Sequence, residues 1–133
     1  MQFSWPITIY YEDTDAGGIV YHANYLKFFE RARSEWLTHL GINQSKLLAA
    51  KLGFVVTKAE LDFVKGAQLE QKLKVVTKLE KAARASLLFV QELQDDTGAL
   101  YCQGKIKVAC IDMESMRPCA IPKEILKEFT CGS

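Results

Sequence analysis

Hydrophobic residues recur along this chain in two clearly different rhythms. Phe3, Trp5, Ile7, Ile9 and Tyr11 fall on alternate positions among mostly polar neighbours, the period-two pattern of a β-strand, and Pro6 near its start suggests an edge strand or an irregular beginning. Thr14–Gly18 (TDAGG) reads as a turn. The rhythm then changes. From Ala23 to Leu40, Tyr25, Phe28, Phe29, Ala32, Trp36 and Leu40 share one face at helical spacing, with Lys27, Glu30, Arg31, Ser34 and Glu35 opposite. Gly41 is placed to end that helix, whose length is roughly 27 Å at the usual rise. Ser45–Lys51 suggests a second, short helix.

Four alternating runs follow. They carry Val55, Thr57, Ala59, Leu61 and Phe63; Leu69, Leu73, Val75, Thr77 and Leu79; Leu87, Phe89 and Leu93; and Leu100, Cys102, Ile106, Val108 and Cys110. The breaks between them, at Lys65-Gly66, Glu80–Arg84 and Asp95–Gly98, are too short for parallel crossovers and fit antiparallel neighbours. Ile121–Phe129 reads as a closing helix or a last strand. The order of strand, long helix and four strands predicts an α+β architecture of about five antiparallel strands, curved around one central helix. Five strands span roughly 20 Å, enough to cover such a helix. A cystatin-like sheet also packs one helix on antiparallel strands, and pattern alone does not separate the two. No repeat, low-complexity tract or boundary interrupts the 133 residues, so one domain over 1–133 is expected.

Composition narrows the function classes. Seventeen Lys and Arg against sixteen Asp and Glu leave a net charge of +1, which offers no broad basic field for nucleic acid. No apolar run approaches a membrane span, and the first eleven residues lack the basic start of a signal peptide. A cytoplasmic protein is expected. The four cysteines, Cys102, Cys110, Cys119 and Cys131, form no CxxC pair and are expected as reduced thiols. Cys102 and Cys110 share strand parity and are expected in the core.

Chemistry concentrates between Tyr11 and Tyr25, where a strand end meets a helix start. A helix N-terminus presents unpaired N–H groups and a partial positive charge, and the adjacent glycines Gly17 and Gly18 permit close approach of backbone or ligand. A thioester carbonyl placed there could receive a hydrogen bond from the N–H near His22. A carboxylate beside it could attack the carbonyl or activate water, and an imidazole could move protons or orient substrate. Asp15 and His22 are the natural pair. Asp13 reads as a turn-solvating or cation-pairing residue. An EF-hand reading of Asp13-x-Asp15 fails because Gly17 and Asn24 stand where oxygen ligands are needed. Lys65, Lys81 and Arg84 are basic residues near loops that could meet phosphates, whereas Lys72, Lys74 and Lys78 read as a solvated strand face and His39 as a dipole partner at the helix end.

The run YYEDTDAGGIVYHANYLKFFERAR, Tyr10–Arg33, resembles the signature of the hot-dog-fold acyl-CoA thioesterases of the 4-hydroxybenzoyl-CoA type, and within them the YbgC branch, encoded with the Tol–Pal envelope proteins in many bacteria. The tail Met116–Pro122 (MRPCAIP) resembles the same branch. The resemblance implies a hot-dog fold acting as a dimer, often paired into tetramers, with the acyl-CoA site between two subunits and no metal or bound organic cofactor. It implies that Asp15 is the catalytic carboxylate, that the His22 N–H polarises the thioester while its side chain also takes part, and that Tyr11 helps shape the site. Arg84 lies where the family's CoA-facing sheet edge is expected. Implied substrates are acyl-CoA or acyl-carrier-protein thioesters. Two other readings stay open at this point: an acyl-thioester dehydratase or hydratase on the same fold, and a protein that binds an acyl carrier or a lipid-synthesis enzyme with incidental turnover.

Overall fold

A computed structural model describes residues 2–131. Its elements run β1 (Gln2–Thr8), a 3-10 turn (Tyr11–Asp13), α1 (Asn24–His39), α2 (Gln44–Ala49), β2 (Leu52–Phe63), β3 (Lys72–Ala82), β4 (Ser86–Gln94), β5 (Leu100–Asp112), β6 (Arg117–Pro118) and α3 (Lys123–Cys131). The strands form one sheet in the order β1-β3-β4-β5-β2, with β6 added on β5, and every pairing is antiparallel. The expected α+β arrangement of a sheet around one long helix is therefore present.

The helix forms where its periodicity predicts. Tyr25, Phe28, Phe29, Ala32 and Trp36 are all buried against the sheet. The apolar payload falls into two clusters. One gathers Tyr25, Phe28 and Phe29 with Ile7, Ile9, Leu73, Val75 and Leu93. The other centres on Trp36, whose ring meets Phe129 at 5.2 Å and Phe89 at 6.1 Å, both edge to face, a geometry favoured by the ring quadrupoles. Phe129 comes from α3, so the C-terminal run is a helix that closes this end of the core.

Boundaries differ from the pattern for local reasons. β1 stops at Thr8 because the Asp13 carboxylate accepts the Tyr10 N–H at 2.9 Å and folds Tyr11–Asp13 into the 3-10 turn. β3 begins at Lys72 and not at Leu69, since Glu70 has a φ of 70° and the Gln71 side chain accepts the Gln68 N–H at 2.7 Å. β3 also runs on to Ala82, across a register shift between Leu79 and Lys81, where a break was expected. Cys102 and Cys110 are core residues as expected, and burial pushes each thiol up to about 12. The Cys110 and Cys119 sulfurs lie 3.6 Å apart as free thiols. The Cys131 side chain lies outside the described residues. No helix among them is long and apolar enough to cross a membrane.

Candidate active site

The segment from Asp13 to Tyr21 is a small hairpin. Tyr21 N–H donates to the Asp13 carbonyl at 3.0 Å, Thr14 bridges Val20, and Asp15 N–H donates to the Ile19 carbonyl at 2.8 Å. The loop closes with Gly18 N–H on the Asp15 carbonyl at 3.1 Å, and Gly18 takes a φ of 79°. That left-handed conformation is available to glycine at little cost. Gly17 serves differently: its N–H donates to the Asp15 carboxylate at 2.8 Å, and a Cβ there would stand 3.2 Å from the same oxygen. The glycine pair thus aims and restrains Asp15, which is otherwise exposed.

Beneath the hairpin lies a buried anchor. Asp13 is only 4% exposed. Its carboxylate holds Tyr10, and its carbonyl accepts both the Tyr21 N–H and the Asn24 side-chain amide, the latter at 3.0 Å. The expectation that Asp13 solvates the turn or pairs with a cation is corrected: it is the post that ties the loop to the first residue of α1. The sequence carried a signal for it, a carboxylate three residues beyond Tyr10 in a capping arrangement, but Asn24 as its partner had none. Ile19 and Val20 dock the hairpin on the β2–β3 loop through a bridge to Gln68 and a 2.8 Å bond to the Ala67 carbonyl. Tyr25 fixes that loop from below by accepting the Ala67 N–H at 3.2 Å. Burial raises the Tyr25 phenol, so it remains a neutral hydroxyl at physiological pH.

His22 follows the hairpin directly. Its exposed ring lies 4.5 Å from that of Tyr21 and 6.2 Å, edge on, from that of Phe63 at the end of β2. The alternating pattern marks Phe63 only as a strand residue, yet it walls the histidine. The helix start is uncapped: Ala23 at the N-cap offers no side-chain acceptor, and the backbone N–H groups of His22 and Ala23 have no partner among the described residues. Such groups, with the dipole of a sixteen-residue helix behind them, receive a developing oxyanion well. Asp15 and His22 do not touch each other: the carboxylate's recorded partner is Gly17, and the imidazole's neighbours are aromatic. They stand on consecutive pieces of one segment, the hairpin of Asp15 running directly into the unpaired N–H groups of His22 and Ala23.

The other expected site residues divide. Tyr11 sits in the 3-10 turn with its side chain 83% exposed, and only its carbonyl is engaged, by Thr14. Arg84 lies in the β3–β4 turn, where its carbonyl accepts the Ile121 N–H. That turn is at the far end of β3 from the hairpin, about 35 Å away at strand rise. Within one chain the Arg84 turn and the Asp15 hairpin therefore stand at opposite ends of β3. Lys65 is at the right end instead, one residue before Gly66, which packs against Ile19, and its amino group lies 5.2 Å over the Tyr101 ring. Among the described residues no group of His, Cys, Asp and Glu could hold a metal ion.

Residues 10–129 match the model of the thioesterase-like superfamily. This chain belongs to that superfamily. It is 45% identical over 128 residues to the acyl-CoA thioesterase YbgC of Haemophilus influenzae, covering 96% of this chain and 93% of that protein. It is 41% identical over 127 residues to the acyl-CoA thioester hydrolase YbgC of Escherichia coli, covering 96% and 95%. A probable thioesterase from Bartonella henselae has a structure that superposes with a TM-score of 0.85 at 33% identity, covering 92% of this chain and all of that one. The 1,4-dihydroxy-2-naphthoyl-CoA thioesterase of Synechocystis superposes at 0.92 with 18% identity over 98% and 97% of the two chains, which speaks for the hot-dog fold. This member of the superfamily is a thioester hydrolase.

Proposed function

We propose that this thioester hydrolase acts on acyl-CoA, releasing the free acid and coenzyme A, with Asp15 and the start of α1 as its chemical centre. The observation that carries this reading is the restrained Asp15 carboxylate on the hairpin that leads directly into the unpaired N–H groups of His22 and Ala23. The carbonyl oxygen of a bound thioester takes its hydrogen bond from those N–H groups, which stabilise the tetrahedral oxyanion. Asp15 then acts in one of two ways. It adds to the carbonyl carbon, expelling the thiolate and leaving an anhydride that water opens, or it takes a proton from a water molecule that adds in its place. His22 orients the thioester or passes a proton to the departing sulfur. The thioesters of acyl carrier protein present the same carbonyl and are a second substrate class for the same centre.

The site is completed by a second copy of the chain. β2 is a free sheet edge twelve residues long; Val56 and Phe63 on it and Val64 just past its end are more than half exposed, with Leu26 and Tyr21 nearby. A long apolar edge of this kind calls for a cover. Pairing two β2 edges places each Phe63 and His22 at the seam and makes Arg84 useful only across that seam. A dimer is the minimum unit, and pairing of dimers gives a tetramer in the cytoplasm, where acyl-CoA is made and consumed.

Thiol release from acyl-CoAs of graded length tests the reading. Wild-type protein turns over part of the series and Asp15→Asn turns over none of it appreciably; near-normal turnover by Asp15→Asn ends the assignment. After a single turnover in 18O-water, label in the Asp15 carboxyl group marks an anhydride that water opens at the aspartyl carbonyl.

A further inference from the structure

Arg33 is a half-buried cation that the hydrolytic chemistry does not use. It lies on α1, and its Nη1 donates to the Gln91 side-chain oxygen at 2.9 Å. Gln91 is wholly buried and spends its amide on the Phe29 carbonyl and the Thr77 hydroxyl, both at 2.9 Å. The rest of the guanidinium fork is unmatched: no carboxylate lies within ion-pair distance of Arg33 among the described residues. Glu30 acts on it only through space, its own carboxylate accepting the Ser34 hydroxyl at 2.8 Å. Burial pulls the guanidinium down to about 10, so it is still charged at neutral pH. A guanidinium has five donors, and leaving a charge desolvated without an ion partner is costly.

What Arg33 faces gives that charge a use. With Leu37, Phe54, Leu87 and Phe89 it borders a cleft of about 130 Å³ between α1 and the sheet. Glu30, Arg33 and Val56 also border a second, more apolar cleft that reaches Leu26, one turn from the start of α1. The two clefts meet at Arg33. From Asn24 to Arg33 is nine residues of helix, a rise of about 14 Å, and helical side chains lean back toward the N-terminus. An acyl tail laid along this path, with its thioester at the helix start, comes to the guanidinium.

We propose that Arg33 reads the far end of the acyl group: the site favours CoA thioesters whose chain ends in a carboxylate and disfavours aliphatic tails long enough to cover the guanidinium. The inference rests on the acyl-CoA thioesterase reading. A terminal carboxylate engages the free side of the fork in the paired geometry that suits arginine. A methyl-ended tail of the same length removes water from a charge that already lacks an ion partner. Glu30 opposes the anionic tail from the rim of the path, but it is exposed and so more strongly screened than Arg33.

The test compares octanoyl-CoA with its octanedioyl counterpart, and both with shorter and longer unbranched acyl-CoAs, in wild type, Arg33→Met, Arg33→Lys and Glu30→Gln. In wild type the octanedioyl thioester is favoured roughly tenfold or more in kcat/KM, as charge-assisted pairing implies. Arg33→Met brings the ratio to about one and admits longer tails, Arg33→Lys keeps part of the preference, and Glu30→Gln raises it. Equal handling of the two thioesters by wild type overturns the proposal, as does an unchanged ratio in an Arg33→Met protein that melts cooperatively. If Arg33→Met does not fold, Glu30→Gln decides, and a ratio it fails to move overturns the assignment. Failure of wild type to hydrolyse any acyl-CoA strikes at the thioesterase reading instead. Calorimetric binding of octanedioate against octanoate then decides the role of Arg33, and equal affinity overturns it.

Discussion

The two ends of α1 are built on opposite plans. At its C-terminal half, Trp36 is enclosed by Phe89 and Phe129, with Phe3 stacked at 6.1 Å, and α3 seals the cluster. Everything that end needs comes from its own chain. At the N-terminal half the same helix begins without a cap, beside an exposed imidazole, a carboxylate held by one glycine and a Phe63 that is 55% exposed. One end has its interactions met; the other is left short of partners in a specific pattern. On the proposed reading, stability is concentrated where the pattern is closed, and reactivity and recognition where it is open, because an oxyanion donor already bonded to protein has nothing to offer a substrate.

Substitutions at the two ends should therefore fail differently. Asp15→Asn should lower kcat by roughly 100- to 10,000-fold, the range lost with a positioned acid–base group, and leave the melting temperature within a degree or two. Trp36→Ala should do the reverse. It should cost about 3–5 kcal/mol of stability by chemical denaturation, while the folded fraction at low temperature keeps its turnover. A loss of activity in Trp36→Ala larger than its loss of folded protein would blur the contrast. On the open side, Val64→Glu should weaken self-association by about 1–2 kcal/mol in sedimentation and reduce turnover in step with the dimer lost; a wild type that sediments as an active monomer would contradict the shared seam.

The smallest effect belongs to the interior thiols. Cys102 and Cys110 are pushed up to about 12 by burial, whereas in the unfolded chain they titrate near the ordinary thiol value of about 8.5. Between those limits the unfolded chain has lost protons that the folded one still holds, so stability falls as pH rises. The contribution is complete below the unfolded value. Melting temperature should decline from about pH 9 upward, and Cys102→Ala should flatten that decline. A wild-type melting temperature that stays level to pH 11 would show the thiols to be less secluded than their positions imply.

How far the sequence disclosed this molecule follows the same division. The buried face of the helix was legible along its length: period and volume alone place Phe28, Phe29, Ala32 and Trp36 on one side, because burial of large apolar groups leaves a regular trace. The antiparallel order was legible from the short gaps. At the open end the TDAGG turn and the Asp15–His22 stretch were visible as residue types, but their supports were not. Asp13 looked like another turn acid, and only its bond to Tyr10 and the reach of Asn24 reveal it as an anchor. Arg33 and Gln91 were invisible to the strand and helix patterns, since a half-buried arginine bonded to a buried glutamine interrupts an apolar face without changing its period. That Arg84 and Asp15 stand at opposite ends of β3 was not legible, because sequence distance says nothing about which end of a strand a turn occupies.

The central claim is that one thioester carbonyl is gripped between the start of α1 and the carboxylate of Asp15. A crystal structure with an acyl-CoA analogue in which a methylene replaces the sulfur tests it directly. The ketone oxygen should lie about 2.7–3.2 Å from the backbone nitrogen of His22 or Ala23, with the Asp15 carboxylate, or a water it holds, facing the carbonyl carbon. A ketone bound away from the helix start, with Asp15 turned from it, would contradict the account.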